Sequence, residues 1–478
     1  MRVQLYTPPP GSIPTLPVPD LASLRRVHMI GIGGAGMSGI ARLLLARGIA
    51  VSGSDLKASA GQDDLVTLGA AIAVGHRAEQ IGASGSPDAV VVSTAIPEAN
   101  PELAEARRLG IPVLARAQVL AALMAGSSGV AVAGTHGKTT TTSMVATVLE
   151  RAGLDPTFVV GGDLNESGSG ARHGEGRWFV AEADESDGSF LLLSPDVAVI
   201  TNVEQDHVDF YPDRESTRRA FAAFAASAGM VVACADDPGV RDVLRRSGRG
   251  DSSVTYGTGP EAEVRVTPTD ASGRSITGTV DLGGSAVEVS LRVPGIHNLL
   301  NAAAAVLAGR AAGVDPDGAA AALREFGGVR RRFEFRGMAR GAEFFDDYAH
   351  HPTEVRATLA AVPSDYRRVL AVFQPHRYTR TEAMWTELGE SLAGADVVVL
   401  TDVYGAGETP IPGVTGKLLV ESLAEAAPAK RVVYLPRRSD VVQFLTSEVR
   451  PGDLVLTLGA GDITMVPDEA LERILESG

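Results

Sequence analysis

Seven residues, Gly134-Thr135-His136-Gly137-Lys138-Thr139-Thr140, combine the groups needed to hold a polyphosphate. An apolar run, Val130-Ala131-Val132-Ala133, precedes them and a helix-like stretch, Thr141 to Arg151, follows, so the segment reads as strand, tight loop and helix. Backbone N–H groups at a helix N-terminus point at an anion, a lysine adds a fixed positive charge, and a threonine hydroxyl can ligate Mg²⁺. The loop is shorter than the usual phosphate-loop pattern, because Val132 stands where the first glycine belongs. Composition favours a purpose for the lysine: Lys57, Lys138, Lys417 and Lys430 are the only lysines among 43 basic residues. An arginine would serve solubility equally well.

Other chemistry-bearing residues gather where apolar runs end. Trp178-Phe-Val-Ala runs into Glu182-Ala183-Asp184-Glu185-Ser186, and Val197-Ala-Val-Ile into Thr201-Asn202-Val203-Glu204-Gln205-Asp206-His207. Hard oxygen donors beside a phosphate loop imply Mg²⁺. Upstream, Val27-His28-Met29-Ile30 leads into Gly31-Ile32-Gly33-Gly34-Ala35-Gly36, a G-x-G-x-x-G pattern followed by a helix from Met37 to Arg47. A second strand ends at Asp55 and a third at Ser93-Thr94-Ala95. This places a diphosphate on a helix N-terminus, with an acid positioned for ribose hydroxyls. NAD and a nucleotide diphosphate-sugar satisfy it equally. His297 and Asn298, at the start of an alanine-rich helix, read as caps or as contacts to a base.

Near the C-terminus the strand-end clusters are Asp346-Asp347-Tyr348-Ala349-His350-His351-Pro352-Thr353-Glu354, Gln374-Pro375-His376-Arg377-Tyr378-Thr379-Arg380 and Asp402 to Glu408. Zinc is disfavoured here, since no thiolate lies nearby and no helical His-x-x-x-His spacing occurs. A small amino acid is favoured. Arginine forks bind a carboxylate bidentately, and tyrosine or histidine can orient an amine.

Positioning these groups takes an α/β fold of several domains. At 478 residues two to four domains are expected, each with its own core. The apolar runs alternate with helical stretches, the pattern of buried parallel sheets, while alternating segments such as Ser285 to Val293 suggest an antiparallel addition to the central sheet. The division predicted is a Pro-rich leader over 1–24, domains over 25–125 and 126–328, and a third over 329–478. Six prolines in the first twenty residues, without an apolar h-region, predict a poorly ordered leader and no signal peptide. No apolar span approaches membrane length, so a cytoplasmic protein is expected. The single cysteine, Cys234, reads as a buried strand residue. A net charge of −15 argues against nucleic-acid binding.

Together Gly31-Ile-Gly-Gly-Ala-Gly-Met-Ser-Gly, Gly134-Thr-His-Gly-Lys-Thr-Thr, Glu182-Ala-Asp-Glu-Ser-Asp, Asp206-His207, Asp347-Tyr-Ala-His-His-Pro-Thr-Glu and Gln374-Pro-His-Arg-Tyr-Thr-Arg resemble the Mur ligase family, from about residue 25 to about 470. The resemblance is to the branch that joins alanine to UDP-N-acetylmuramate in peptidoglycan synthesis. It implies Rossmann-like first and third domains around an ATPase-like central one, and the partners UDP-N-acetylmuramate, ATP with Mg²⁺, and L-alanine, in a monomer or weak homodimer. It also implies an acyl phosphate made from ATP and then displaced by alanine's amine. Lys138, Glu182 and His207 would be catalytic, with Thr139, Glu182 and His207 holding Mg²⁺. Gly134 to Thr140, His297, Asn298, Arg332 and Asp346 would bind or close over ATP. Gly31, Gly33, Gly34, Gly36, Asp55, Ser93, Thr94 and Ala95 would hold the UDP-sugar, and Tyr348, His350, Arg377 and Arg380 the alanine. Sister ligases use a carbamylated lysine after the Asp-His motif, whereas Glu204 to Cys234 contains no lysine. The alanine-adding branch tends to lack it too. A recycling ligase that attaches a stem peptide is the alternative within the family. An NAD-dependent dehydrogenase would leave the phosphate loop and the Asp-Tyr-Ala-His-His cluster without work.

Overall fold

Runs such as Ala89–Val92, Val197–Ile200 and Val397–Leu400 carry no polar side chain and are buried along their whole length, so each must be covered on both faces. A computed structural model describes residues 16–476 apart from 59, 162–169 and 209, and places these runs in three twisted sheets flanked by helices.

The first sheet contains β1 (Arg26–Ile30), β2 (Ala50–Asp55), β3 (Ala71–Val74), β4 (Ala89–Val92) and β5 (Val113–Ala115). All pairs are parallel, in the order β3-β2-β1-β4-β5. The order reverses beside β1, and at its C-terminal end sits the glycine loop, the crevice where doubly wound sheets take ligands.

The second sheet has β6 (Ser128–Ala133), β7 (Thr157–Val159), β8 (Ala171–Arg172), β9 (Trp178–Glu182), β10 (Val197–Ile200), β11 (Met230–Cys234), β12 (Ser253–Gly257), β13 (Val264–Asp270), β14 (Ile276–Asp281) and β15 (Ala286–Leu291). Their order is β15-β14-β13-β12-β11-β10-β6-β9-β7-β8, parallel from β13 to β7, with β14 and β15 antiparallel at one end and β8 at the other. β6 is central, so the loop after it lies between the ends of β9 and β10, which carry the two acidic clusters.

The third sheet orders β16 (Glu334–Ala339), β17 (Ala342–Asp347), β18 (Arg368–Phe373), β19 (Val397–Leu400), β20 (Arg431–Tyr434) and β21 (Asp453–Leu458) as β16-β17-β21-β18-β19-β20, with only β16 antiparallel. Strands β3, β5, β16 and β20 were not legible in the sequence. Each lies at or next to a sheet edge, where half-exposure removes the continuous apolar signal.

The cores differ in how they meet. One apolar cluster runs from Val27, Ile40 and Leu44 of the first unit into Val159, Ala171, Phe190 and Phe221 of the second. Gly39 faces Ala171 and Val159 across that seam. The third unit's two clusters contain only residues of that unit, and ion pairs and hydrogen bonds such as Arg380–Asp206 and Thr353–Glu204 join it to the second. Of the leader, 1–15 lie outside the described residues. The remainder is docked: Gln118 donates to the Pro17 carbonyl at 2.7 Å, and Leu21 and Leu24 pack on the core.

Candidate active site

The helix after β6 begins at Lys138, three residues earlier than expected, because Gly137 takes φ 78° and turns the chain straight into it. Gly134, at φ 143°, is pressed so closely against Thr201 that a β-carbon would strike its hydroxyl. The loop between them is pinned by Asn202, whose Oδ1 accepts His136 N–H at 2.7 Å, and by Thr201, whose hydroxyl donates to the His136 carbonyl at 2.6 Å. Lys138 Nζ donates to the Gly134 carbonyl at 2.6 Å and to Glu185 at 2.9 Å. Burial disfavours its charge, but Glu185, Asp184 and Glu182 outweigh that and raise its pKa, so the ammonium stays charged.

Thr139, Glu182 and His207, expected as metal ligands, share one cavity of about 780 Å³ with Lys138. Thr139 Oγ1 donates to Glu182 Oε1 at 3.2 Å, near the edge of about 3.0 Å between adjacent ligands of an octahedral Mg²⁺. The other Glu182 oxygen accepts Gly161 N–H at 2.7 Å. His207 takes a left-handed φ of 51°, and its Nε2 is 3.8 Å from both Glu185 and Asp206. A hydroxyl, a carboxylate and an imidazole beside an anion loop fit Mg²⁺ completed by phosphate oxygens and water.

A second cavity of about 330 Å³ adjoins the loop on its other side, lined by His136, Gly137, Thr140, His297, Asn298, Asn301, Phe326 and Arg332 among others. Neither His297 nor Asn298 caps its helix: Gly295 occupies the cap, and Asn298 Nδ2 donates back to the Pro294 carbonyl at 2.7 Å. Burial lowers His297 to about 4, leaving a neutral ring facing a space ample for a purine.

In the first unit, Gly33 N–H donates to Asp55 Oδ2 at 2.9 Å, so Asp55 braces the glycine loop. Gly31 lies under Ile96, and Gly34 caps the helix Ala35–Ala46. Ser93 is half-buried, with Thr94 and Ala95 exposed beside it. Gly36 is covered by Arg116, which pairs with Asp184 at 3.1 Å and joins the glycine loop to the metal-ligand cluster.

The third unit brings Tyr348, His350, Arg332, His376, Arg377 and Arg380 to the 780 Å³ cavity. His350 Nδ1 donates to the Tyr348 carbonyl at 2.9 Å. Burial lowers it to about 3, so it is neutral, and Nε2 is an acceptor. Arg331 and Arg332 lie 4.9 and 5.0 Å from the centre of the Tyr348 ring.

Two expected residues have partners that the sequence did not suggest. Asp346 is fully buried, accepting from Thr457 at 2.7 Å, Thr464 at 2.6 Å and Arg331 at 3.2 Å. It therefore positions Arg331 instead of facing the cavity, and its neighbour Asp347 lines the smaller cavity. Arg380 lies in the first turn of the helix Tyr378–Ser391. Its fork is bound to Asp206 of the second unit, with Nη2 at 2.9 and 3.0 Å from the two carboxylate oxygens.

Glu185, Asn202, Asn301, Arg116 and Glu354 were missed as site residues. Glu185, Asn202 and Glu354 sat inside the strand-end clusters, but their side-chain directions depend on how the strands end. Nothing local marks Asn301 or Arg116.

Comparisons agree with this geometry. Three family models match in succession: the Mur ligase family catalytic domain over 26–128, the Mur ligase middle domain over 132–309 and the Mur ligase glutamate ligase domain over 331–461. A UDP-N-acetylmuramate–L-alanine ligase from Saccharopolyspora erythraea is 51% identical over 468 residues, covering 96% of this chain and 95% of its own. The crystal structure of the corresponding ligase from Thermotoga maritima superposes with a TM-score of 0.80 at 31% identity, covering 95% of this chain and 100% of that one. A murein peptide ligase from Psychrobacter arcticus shares the fold, with a TM-score of 0.69 at 24% identity and coverage of 94% and 98%. A loop, two acidic strand ends and an arginine-rich third unit meet at one cavity, and matches of this length run through all three units, so the chain belongs to the Mur ligase family.

Proposed function

We propose that the chain joins L-alanine to UDP-N-acetylmuramate with ATP hydrolysed to ADP and phosphate, the first amino-acid addition in making peptidoglycan precursors. The observation that carries this reading is the single cavity in which Lys138, Glu182 and His207 of the second unit face Tyr348, His350 and Arg377 of the third. Relatives named for this activity, at about half identity over nearly the full length, supply the substrate.

In this reading residues 25–125 hold the UDP-sugar, 126–328 ATP and 329–478 the amino acid. A carboxylate is a poor electrophile, so the sugar's lactyl carboxylate first takes the γ-phosphoryl group of ATP, and alanine's neutral amine then displaces phosphate from the acyl phosphate. Both partners in the first step are anions, which is why Lys138 leaves the Gly134 carbonyl to meet phosphate oxygens. Thr139, Glu182 and His207 would hold Mg²⁺, which when bound would supply neutralising charge to those oxygens. The smaller cavity takes adenine between His297, Asn298 and Arg332. Neutral His350 accepts from the alanine amine through Nε2, and Arg377 faces its carboxylate. Arg116 reaches the diphosphate over Gly36. Among the described residues no helix is long and apolar enough to cross a membrane, and the use of ATP and a nucleotide-sugar favours the cytoplasm as the place of action.

The test is phosphate release from ATP and UDP-N-acetylmuramate with each amino acid or stem peptide in turn. Alanine should drive release, with serine and glycine weaker. Release driven by a tripeptide and not by alanine would assign the recycling reaction instead.

A further inference from the structure

His136, Glu204 and His351 come from the phosphate loop, the segment after β10 and the cap of the helix Pro352–Ala360, yet their ligand atoms lie within 4.8 Å of one another. Glu204 Oε2 is 3.3 Å from His136 Nε2 and 3.6 Å from His351 Nδ1. Ligands at about 2.1 Å around a tetrahedral ion are about 3.4 Å apart. Without an ion the first is a long hydrogen bond and the second exceeds hydrogen-bond reach, and both separations suit a shared ion that replaces the His136 Nε2 proton.

We propose that His136, Glu204 and His351 form a binding site for one divalent transition-metal ion of the zinc type, which ties the third unit to the second. The proposal goes beyond the ligase reading, and the site is separate from Thr139, Glu182 and His207. Two imidazoles and one carboxylate select a borderline ion over Mg²⁺, which prefers oxygen and keeps its water. The surroundings already orient the ligands. Glu354 Oε1 lies 3.2 Å from His136 Nδ1, so it takes that N–H and turns Nε2 toward the site, the carboxylate–histidine arrangement found behind metal-bound imidazoles. Thr353 Oγ1 donates to Glu204 Oε2 at 2.7 Å. His351 Nδ1 accepts only a 3.4 Å contact from Thr353 N–H, which an ion replaces. Glu204 and His351 also line an open cleft of about 510 Å³ that gives entry from solvent. The fourth position is left to water. Because His351 belongs to the third unit and the other two ligands to the second, a bound ion holds the junction closed.

The test titrates Zn²⁺ into the chelator-treated full-length chain in excess Mg²⁺, against a chromophoric competitor. One zinc per chain is expected, with affinity lowered at least about tenfold in both His351→Asn, which keeps a cap acceptor, and Glu204→Gln, which keeps the Thr353 contact. His207→Ala should bind zinc as the parent does. Solution scattering should show zinc compacting the parent but neither of the first two variants. Parent-like affinity in both of those variants, loss of binding in His207→Ala, or displacement of zinc by Mg²⁺ would each overturn the site. Binding without compaction would overturn the bridging role.

Discussion

Lys138 is held by a carbonyl, a carboxylate and the surrounding negative field, so its charge is guaranteed before any nucleotide arrives. Lys138→Ala should lower ATP-dependent phosphate release by at least ~10²-fold while far-UV circular dichroism stays unchanged, since a preorganised charge on a transferring phosphoryl group is lost. Near-normal release would remove the lysine from the mechanism. Arg380 behaves differently from a free carboxylate clamp. Its fork and Asp206 are both nearly buried, and Arg380 is the first of the positive groups that hold the Asp206 carboxyl far below its usual range against burial. Arg380→Ala strands that carboxylate at a cost on the order of 3 kcal/mol. Because this tie holds the third unit against the phosphate-loop unit, trapping of the proposed acyl phosphate by hydroxylamine should fall together with alanine ligation. Removing Asp206 as well should recover part of the loss, because paired charges are non-additive. Parent-like hydroxamate formation in Arg380→Ala would return the arginine to the alanine site.

At the scale of the element, the strand–loop–helix around Gly134 works because the loop is too tightly packed to relax. Thr201 and Asn202, from the neighbouring β10 end, clamp the His136 peptide from both sides. Gly134→Ala combines a left-handed backbone with a collision against Thr201, so the loop must move away from β10. The nucleotide's stabilising effect should report this: thermal-shift titration with Mg·ATP should lose at least about tenfold in apparent affinity, while Gly284→Ala, at a glycine of similar φ (134°) with open space around it, leaves affinity unchanged. Equal loss in both variants would mean that general destabilisation, not loop geometry, is responsible.

Across the whole molecule, the two junctions have opposite character. The first and second units share apolar surface, which is costly to expose, so they should move as one body. The third is attached by ion pairs and hydrogen bonds, including Arg380–Asp206, His136–Glu354, Thr353–Glu204 and Arg274–Glu343, which water can replace. Closure should therefore depend on pH. Burial lowers His136, but Glu354 and Glu204 on either side outweigh it and raise the ring from 6.5 to about 9, with the neutral His351 ring 4.5 Å away and tilted by 42°. A raised pKa stabilises the closed form fully below about 6.5 and loses that contribution as pH rises through 9. Scattering should show the metal-free chain expanding between pH 7 and 9.5, and His136→Gln should flatten that change. Identical profiles would place the pH response elsewhere.

The sequence alone determined the repeated sheet architecture and the identity of the chemistry. Buried parallel strands must be continuously apolar, and the phosphate loop and acidic strand ends are local patterns whose physics lies within a few residues. The glycine spacing, and the loop and strand ends that bring Lys138, Glu182 and His207 to one cavity, were legible for that reason. Only the tertiary structure decided which groups meet across sheets. It bound the Arg380 fork to Asp206 and sank Asp346 beneath Arg331. It also set His351, a cap residue of one unit, against His136 and Glu204 of another. Those relations join residues up to 215 positions apart, from His136 to His351, and depend on side-chain direction at strand ends and on how closed the third unit sits. No local spacing encodes either, because both follow from the packing of separate sheets.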